Sequence, residues 1–328
     1  MLRNLMDMFR RVRCFFHPER FQGWGKTRRY FEGWYFKLVD ASGTNAYAVI
    51  PGIAMDEQGK RHAFIQVLDG KRRTAAYHRF PFESFRPTPT SFCVEISGNH
   101  FSNRQLTLDL PELKGTLRMH DAVPWPAPFY SPGIMGPYAF APFMECYHGI
   151  VSMDHSLSGS LNTPYGLISF DNGRGYTEKD WGRSFPAAYV WMQSNHFSIP
   201  GTSFKCSVAR IPWVTRAFTG FIAGLWKDGQ LHRFTTYNRT RLLRSDPGQT
   251  QVTLLLENPA YRLQVTAHRD TTTALSAPIR GLMEGRIEES MTAEIHIRLE
   301  HKKQGLIWED TGRHAGLEVA GDLPKITV

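Results

Sequence analysis

From Tyr30 onward, apolar residues return at every second position, and no long run keeps the three-and-four spacing of a helix. "YFEGWYFKLVD", "NAYAVIPGIAM" and "RHAFIQVLD" alternate in this way near the start. "YGLISFDNGRG", "YVWMQSNHF", "SFKCSVARI", "TQVTLLLEN", "YRLQVTAHR" and "MTAEIHIRLEH" continue it to the far end. A period of two puts successive side chains on opposite faces of a strand, so this pattern predicts strands with one face on a core. Turn chemistry falls between them. "DEQGK" (56–60) and Asp228-Gly229 within "LWKDGQLHRF" both read as hairpin turns. Many short strands at regular spacing predict an all-β fold of antiparallel sheets closed into barrels or sandwiches. With 328 residues, two such bodies are expected rather than one. The expected division is 1–25 as a basic helix and linker, 26–180 as a first barrel-like domain and 181–328 as a second.

Residues 2–16 differ. Leu2, Leu5, Met6, Phe9, Val12 and Phe16 recur at helical spacing with arginines between them, and Pro18 follows as a stop. Residues 1–30 carry eight bases against two acids, which is +6 of the chain's net +9. Two readings stand for this short amphipathic helix. It packs on its own domain, or it lies on an anionic membrane surface with Phe15 and Phe16 as anchors.

A second departure is Ala122–Phe143, with six prolines and six aromatic residues. It cannot be a central strand and is too apolar for disorder. It reads as a packed lid or collar at a barrel mouth, or as a cover with no ligand role.

Several function classes lose support. The four cysteines lie far apart without a C-x-x-C pair, so neither a disulfide framework nor a zinc site is expected, and a cytoplasmic setting is the default. No apolar run is long enough for a membrane-spanning helix, and Asp7 and Arg10 interrupt any secretory signal. Phosphate-loop, dinucleotide, zincin and nucleophile-elbow motifs are missing. The basic charge is confined to one terminus, so a nucleic-acid partner is not expected.

Three clusters place acids against aromatics. In "YFEGWYFK" (30–37), Glu32, Trp34 and Phe36 share one strand face, and Tyr35 shares the other. "MECYHGIVSMDHSLSG" (144–159) holds Glu145, Tyr147, His148, Asp154 and His155. "GYTEKDWGRSFP" (175–186) puts Glu178 and Asp180 on one side, Lys179 on the other, and Trp181 next in line. For any single acid here the plain alternative is a structural ion pair or a turn carboxylate. As a set they suit an apolar pocket with a few placed proton carriers.

These motifs, with "WMQSNHF" and the tail from Ala277 to Gly321, resemble the tocopherol cyclase-like family. The resemblance runs in order from about Tyr30 to Gly321. It implies a two-part lipocalin-like β architecture, akin in fold to carotenoid hydratase-type proteins. It also implies a reaction: a prenylated hydroquinol adds its phenol oxygen across the first double bond of its own chain, closing a chromanol ring without redox change or cofactor. The Arg-rich N-terminus lacks the serine-rich stretch of a plastid transit peptide, so a bacterial origin is expected.

The residues suit that chemistry. Alkene protonation needs a carboxylic acid kept neutral, and the resulting tertiary cation needs aromatic faces and a dry site. Glu178 or Asp180 beside Trp181 could supply the acid, with Glu32 beside Trp34 as the rival. Trp34, Tyr35, Trp181 and Trp191 are candidate cation stabilisers, and Glu145 and Tyr147 are further substrate contacts. His148, His155, Asn195 or His196 could orient or deprotonate the phenol. The expected partner is a hydrophobic isoprenoid or prenylquinol, with no metal and no cofactor. Two alternatives remain: a carrier that binds such a ligand without turning it over, and an isoprenoid alkene hydratase.

Overall fold

Hairpin turns and strand alternation build the structure, a computed structural model that describes residues 14–142, 144–269 and 271–328. The helix expected over 2–16 lies outside the described residues except for its last three positions. The described chain is mostly antiparallel strand, in one sheet of 12 strands and one of 10. It forms two compact units. The first runs to Phe185 and includes Ser276–Arg286; the second comprises Pro186–Leu275 and Ile287–Val328.

In the first unit, strands Tyr30–Val39, Ala46–Met55, Arg61–Asp69 and Thr74–Pro81 form consecutive hairpins. The 56–60 turn closes where expected: Lys60 N–H donates to Asp56 Oδ1 at 2.7 Å, and Gly59 takes a φ of 88°. Shorter strands from Phe85 to His120 form a meander that ends on the long strand Cys146–Thr163. Strand Arg174–Gly182 then inserts between Tyr30–Val39 and Cys146–Thr163 and joins the two halves. The sheet curls so that one face of each half meets in a single core. There Trp34 stacks on Phe92 with ring centroids 5.4 Å apart and packs beside Phe36, Leu38 and Phe101.

The second unit repeats the principle. Ala188–Ser194 lies between Ser203–Trp213 and Gly305–Gly321, and its inward residues Val190 and Met192 pack with Phe204, Leu254 and Ile297. The Asp228-Gly229 turn joins Arg216–Lys227 to Gln230–Thr235, with φ values of 49° and 73° at its two central residues. Two positive φ values match the right-handed twist of the flanking strands, which is why Asp-Gly marks such hairpins.

Candidate functional site

The three acid-aromatic clusters of the sequence are three neighbouring strands. Trp34, Lys179 and Gly149 lie directly opposite one another across Tyr30–Val39, Arg174–Gly182 and Cys146–Thr163. Glu32, Trp181 and Tyr147 form the next row, two residues along, on the same face. The alternate rows, Gly33–Asp180–His148 and Tyr35–Glu178–Ile150, carry the opposite face. The central strand therefore sorts its charges: the base points to the core side and both acids to the other.

On the core side, Lys179 and Glu32 are fully buried and form an ion pair at 2.6 Å. Burial pulls the Lys179 pKa down, and the Glu32 carboxylate opposes this. Every charge is satisfied. Lys179 Nζ donates to the carbonyls of Pro18 (3.0 Å) and Arg20, and lies 4.8 Å from the Trp34 ring and 4.6 Å from that of Trp181. Glu32 accepts from the Gln22 backbone N–H at 2.8 Å and from the Tyr30 hydroxyl at 2.6 Å. Trp34 Nε1 donates to the Glu19 carbonyl at 2.9 Å. These contacts strap residues 18–22 across the core face. Glu32 and Trp34 are thus held in a structural clamp, and Trp181 stacks on Tyr147 with ring planes 9° apart. His155 is buried opposite Gly175 on the Lys179 side, with its Nδ1 3.0 Å from Ser152 Oγ. Burial pushes its pKa down to about 3, so it is neutral.

On the other face, His148 joins both acids. Its Nδ1 is 2.8 Å from Asp180 Oδ1 and its Nε2 3.4 Å from Glu178 Oε2. The Glu178 side chain is 4% exposed, that of His148 10% and that of Asp180 25%, so the row is graded from buried to open. The Tyr176 hydroxyl donates to Glu178 Oε2, and burial followed by the Glu178 charge raises its pKa well above the usual tyrosine value. Tyr176 is therefore a neutral donor. Sequence reading passed it over, although it lies two residues before Glu178 and so on the same strand face. His148, Glu178 and Asp180 offer one nitrogen and two carboxylate oxygens within 4.8 Å of one another. That donor set could pass a proton or hold a divalent cation.

His148 also lines a cleft of about 520 Å³ within the first unit. Tyr147, Trp181 and the proline-rich segment supply much of its wall, the latter through Pro132, Met135 and Phe140. The Tyr147 hydroxyl donates to the Ala141 carbonyl, which ties the segment to the sheet. The segment carries a short 3-10 turn at Gly136–Phe140, buries Trp125 and leaves Phe129 and Tyr130 exposed. Glu145 contributes its carbonyl, which accepts from the Arg183 N–H at 2.7 Å.

The remaining sequence candidates belong to the second unit. Trp191 stands opposite Glu318 and Ser207. The Tyr189 hydroxyl donates to Glu318 Oε2 at 2.8 Å, and Lys205, fully buried, donates to Ser207 Oγ at 2.7 Å. Asn195 is buried and accepts from Gln193 at 3.5 Å, and the His196 ring meets that of His314 edge-on at 5.2 Å. Glu318 and Lys205 were not singled out from the sequence, because an acid or base inside an alternating strand looks like an ordinary solvent-facing residue.

The architecture, all-β with two antiparallel sheets, is a lipocalin-like fold. Residues 118–321 match the model of the tocopherol cyclase-like family, and the chain belongs to that family. The chloroplastic tocopherol cyclase of Zea mays is 26% identical over 194 residues, 55% of this chain and 40% of that one. The probable tocopherol cyclase of Oryza sativa subsp. japonica is 24% identical with the same coverage. The match thus spans about two-fifths of the length of these curated relatives. Among solved structures, CghA with Sch210972 aligns at a TM-score of 0.56 and 11% identity, covering 89% of each chain. A protein of Nitrosomonas europaea provisionally described as AttH aligns at 0.53 and 14%, covering 89% of this chain and 92% of that one. At these identities the likeness is one of fold. Among the described residues, no helix is long and apolar enough to cross a membrane.

Proposed function

We propose that this chain is an acid-base catalyst that adds a hydroxyl across an alkene of an isoprenoid lipid, closing a ring in the manner of tocopherol cyclases. The observation that carries the reading is His148 between two carboxyl groups, Asp180 at 2.8 Å and Glu178 at 3.4 Å, on the rim of a partly apolar cleft. In the proposed sequence a proton passes from this relay to the less substituted alkene carbon, forming a C–H bond. The tertiary cation left behind is captured by the phenol oxygen, and the phenol proton returns to the relay. One C–O and one C–H bond form, one π bond and one O–H bond break, and nothing is oxidised.

Roles follow from burial. Glu178 is the more buried carboxyl and faces His148 Nε2, so it is assigned the proton transfer, and the more open Asp180 orients His148 through Nδ1. Tyr176 donates to Glu178 and steadies it as its charge changes. Tyr147, stacked on Trp181, gives the cleft an aromatic wall beside which a carbocation could form. The clamp residues Glu32, Lys179 and Trp34 hold the scaffold and take no part in proton transfer.

The test is incubation of the purified protein with a prenylated hydroquinol in detergent, with products read by mass spectrometry. Cyclisation leaves the mass unchanged, whereas hydration adds one water and would support the hydratase reading on the same residues. Glu178→Gln and Asp180→Asn should each lower turnover by about 10²- to 10⁴-fold while ligand binding persists. Binding without turnover in the unaltered protein would make it a carrier and refute the proposal.

A further inference from the structure

The cleft beside His148 has a sign. Four of its described lining residues are cationic, Lys26, Arg28, Arg29 and Arg183, and none is Asp or Glu. All four are exposed, while the wall nearer the sheet is apolar, with Met135 and Met144 buried. The bases at 26–29 belong to the stretch that carries most of the chain's excess positive charge. Arg29 has one acidic neighbour, Glu57 at 3.5 Å, with its own side chain 60% exposed. A surface pair of that kind is worth little and gives way to a better-placed anion. A cleft with cations of one sign at the mouth and low-dielectric walls concentrates anions. Its volume of about 520 Å³ is that of a pocket for one small molecule.

We propose that this cleft takes an amphipathic anion, an isoprenoid-like apolar chain that ends in a carboxylate or phosphate. The anionic end sits among Lys26, Arg28, Arg29 and Arg183, and the chain runs inward toward His148. A neutral prenylquinol offers those cations only hydroxyl oxygens and a ring face, whereas an anionic group on such a lipid adds ion pairs. The inference deepens the proposed function and rests on it only in treating His148 as the inner end of the site.

Farnesoate and farnesol are a matched pair of probes, with farnesyl phosphate as a third. Binding to the full chain is measured by titration calorimetry and by quenching of tryptophan fluorescence. Farnesoate or farnesyl phosphate should bind at least tenfold tighter than farnesol, and whichever is tighter identifies the head group. The Arg28→Gln/Arg29→Gln double variant should lose at least tenfold for the anion and nothing for farnesol. Arg183→Gln, made separately, should act the same way, and circular dichroism confirms that each variant is folded. Equal binding of acid and alcohol would overturn the proposal. So would variants that lose co-sedimentation with phosphatidylglycerol vesicles but keep the farnesoate affinity, since the cations would then serve a membrane surface. The readout is binding rather than turnover. Glu178→Gln should keep the anion preference even if the acid-base reading fails, and turnover of a neutral prenylquinol without anion preference would refute this inference alone.

Discussion

Lys179 and Glu32 show what it costs to bury a charged pair in a β core. Each is fully buried, and each finds enough partners in residues 18–30 to replace water. Removing one partner leaves the other charged and unsatisfied, so Lys179→Met or Glu32→Gln should destabilise the protein by about 3–5 kcal/mol. The double replacement should recover a substantial part of that loss. Urea unfolding of the three variants measures both. His155 makes a different prediction. Its folded-state pKa of about 3 lies below the ordinary value of 6.5, so between these pH values the unfolded chain binds a proton that the native state refuses. Its contribution to stability is complete above about pH 6.5 and declines as pH falls toward 3, by about 1.4 kcal/mol per pH unit. His62, held down to about 4 mainly by burial, acts in the same direction. His155→Asn should flatten the slope of unfolding free energy against pH over that window, relative to the unaltered protein.

At the scale of the element, strand Arg174–Gly182 divides its charges between its faces, with the Lys179 clamp toward the core and the proposed proton relay away from it. It ends at Gly182, whose φ is 153° and where an added Cβ would lie 2.1 Å from the Glu145 carbonyl oxygen. Gly182→Ala should force Glu145 and Cys146 away, costing on the order of 1–3 kcal/mol and loosening the His148 end of the relay. A lowered thermal midpoint together with reduced turnover would bear this out. Much of this strand was legible in the sequence. Alternation alone set Glu178 and Asp180 opposite Lys179, and it equally requires Trp181 to face the Lys179 side, away from the acids. Pairing was not legible. Tyr30–Val39 meets a strand some 140 positions later, and nothing local in either segment specifies that partner. Glu32 could not be sorted into the clamp without its donors Gln22 and Tyr30 and its partner Lys179. The period of two and the Asp-Gly turn did locate strands and a hairpin, because both signals are carried by neighbouring residues.

Across the whole molecule, the proposed function turns on one step, delivery of a proton to carbon by the His148 relay. The chain belongs to the tocopherol cyclase-like family, and His148 lies between a buried and a more open carboxyl group beside a cleft. Solvent deuterium reports that step directly. A prenylated hydroquinol is turned over in D₂O, and the product is examined by mass spectrometry and NMR after exchangeable deuterons are washed out. One deuterium per molecule is expected, fixed on the former alkene carbon next to the carbon of the newly formed C–O bond, with that product lost in Glu178→Gln. A ring-closed product with no carbon-bound deuterium would contradict it.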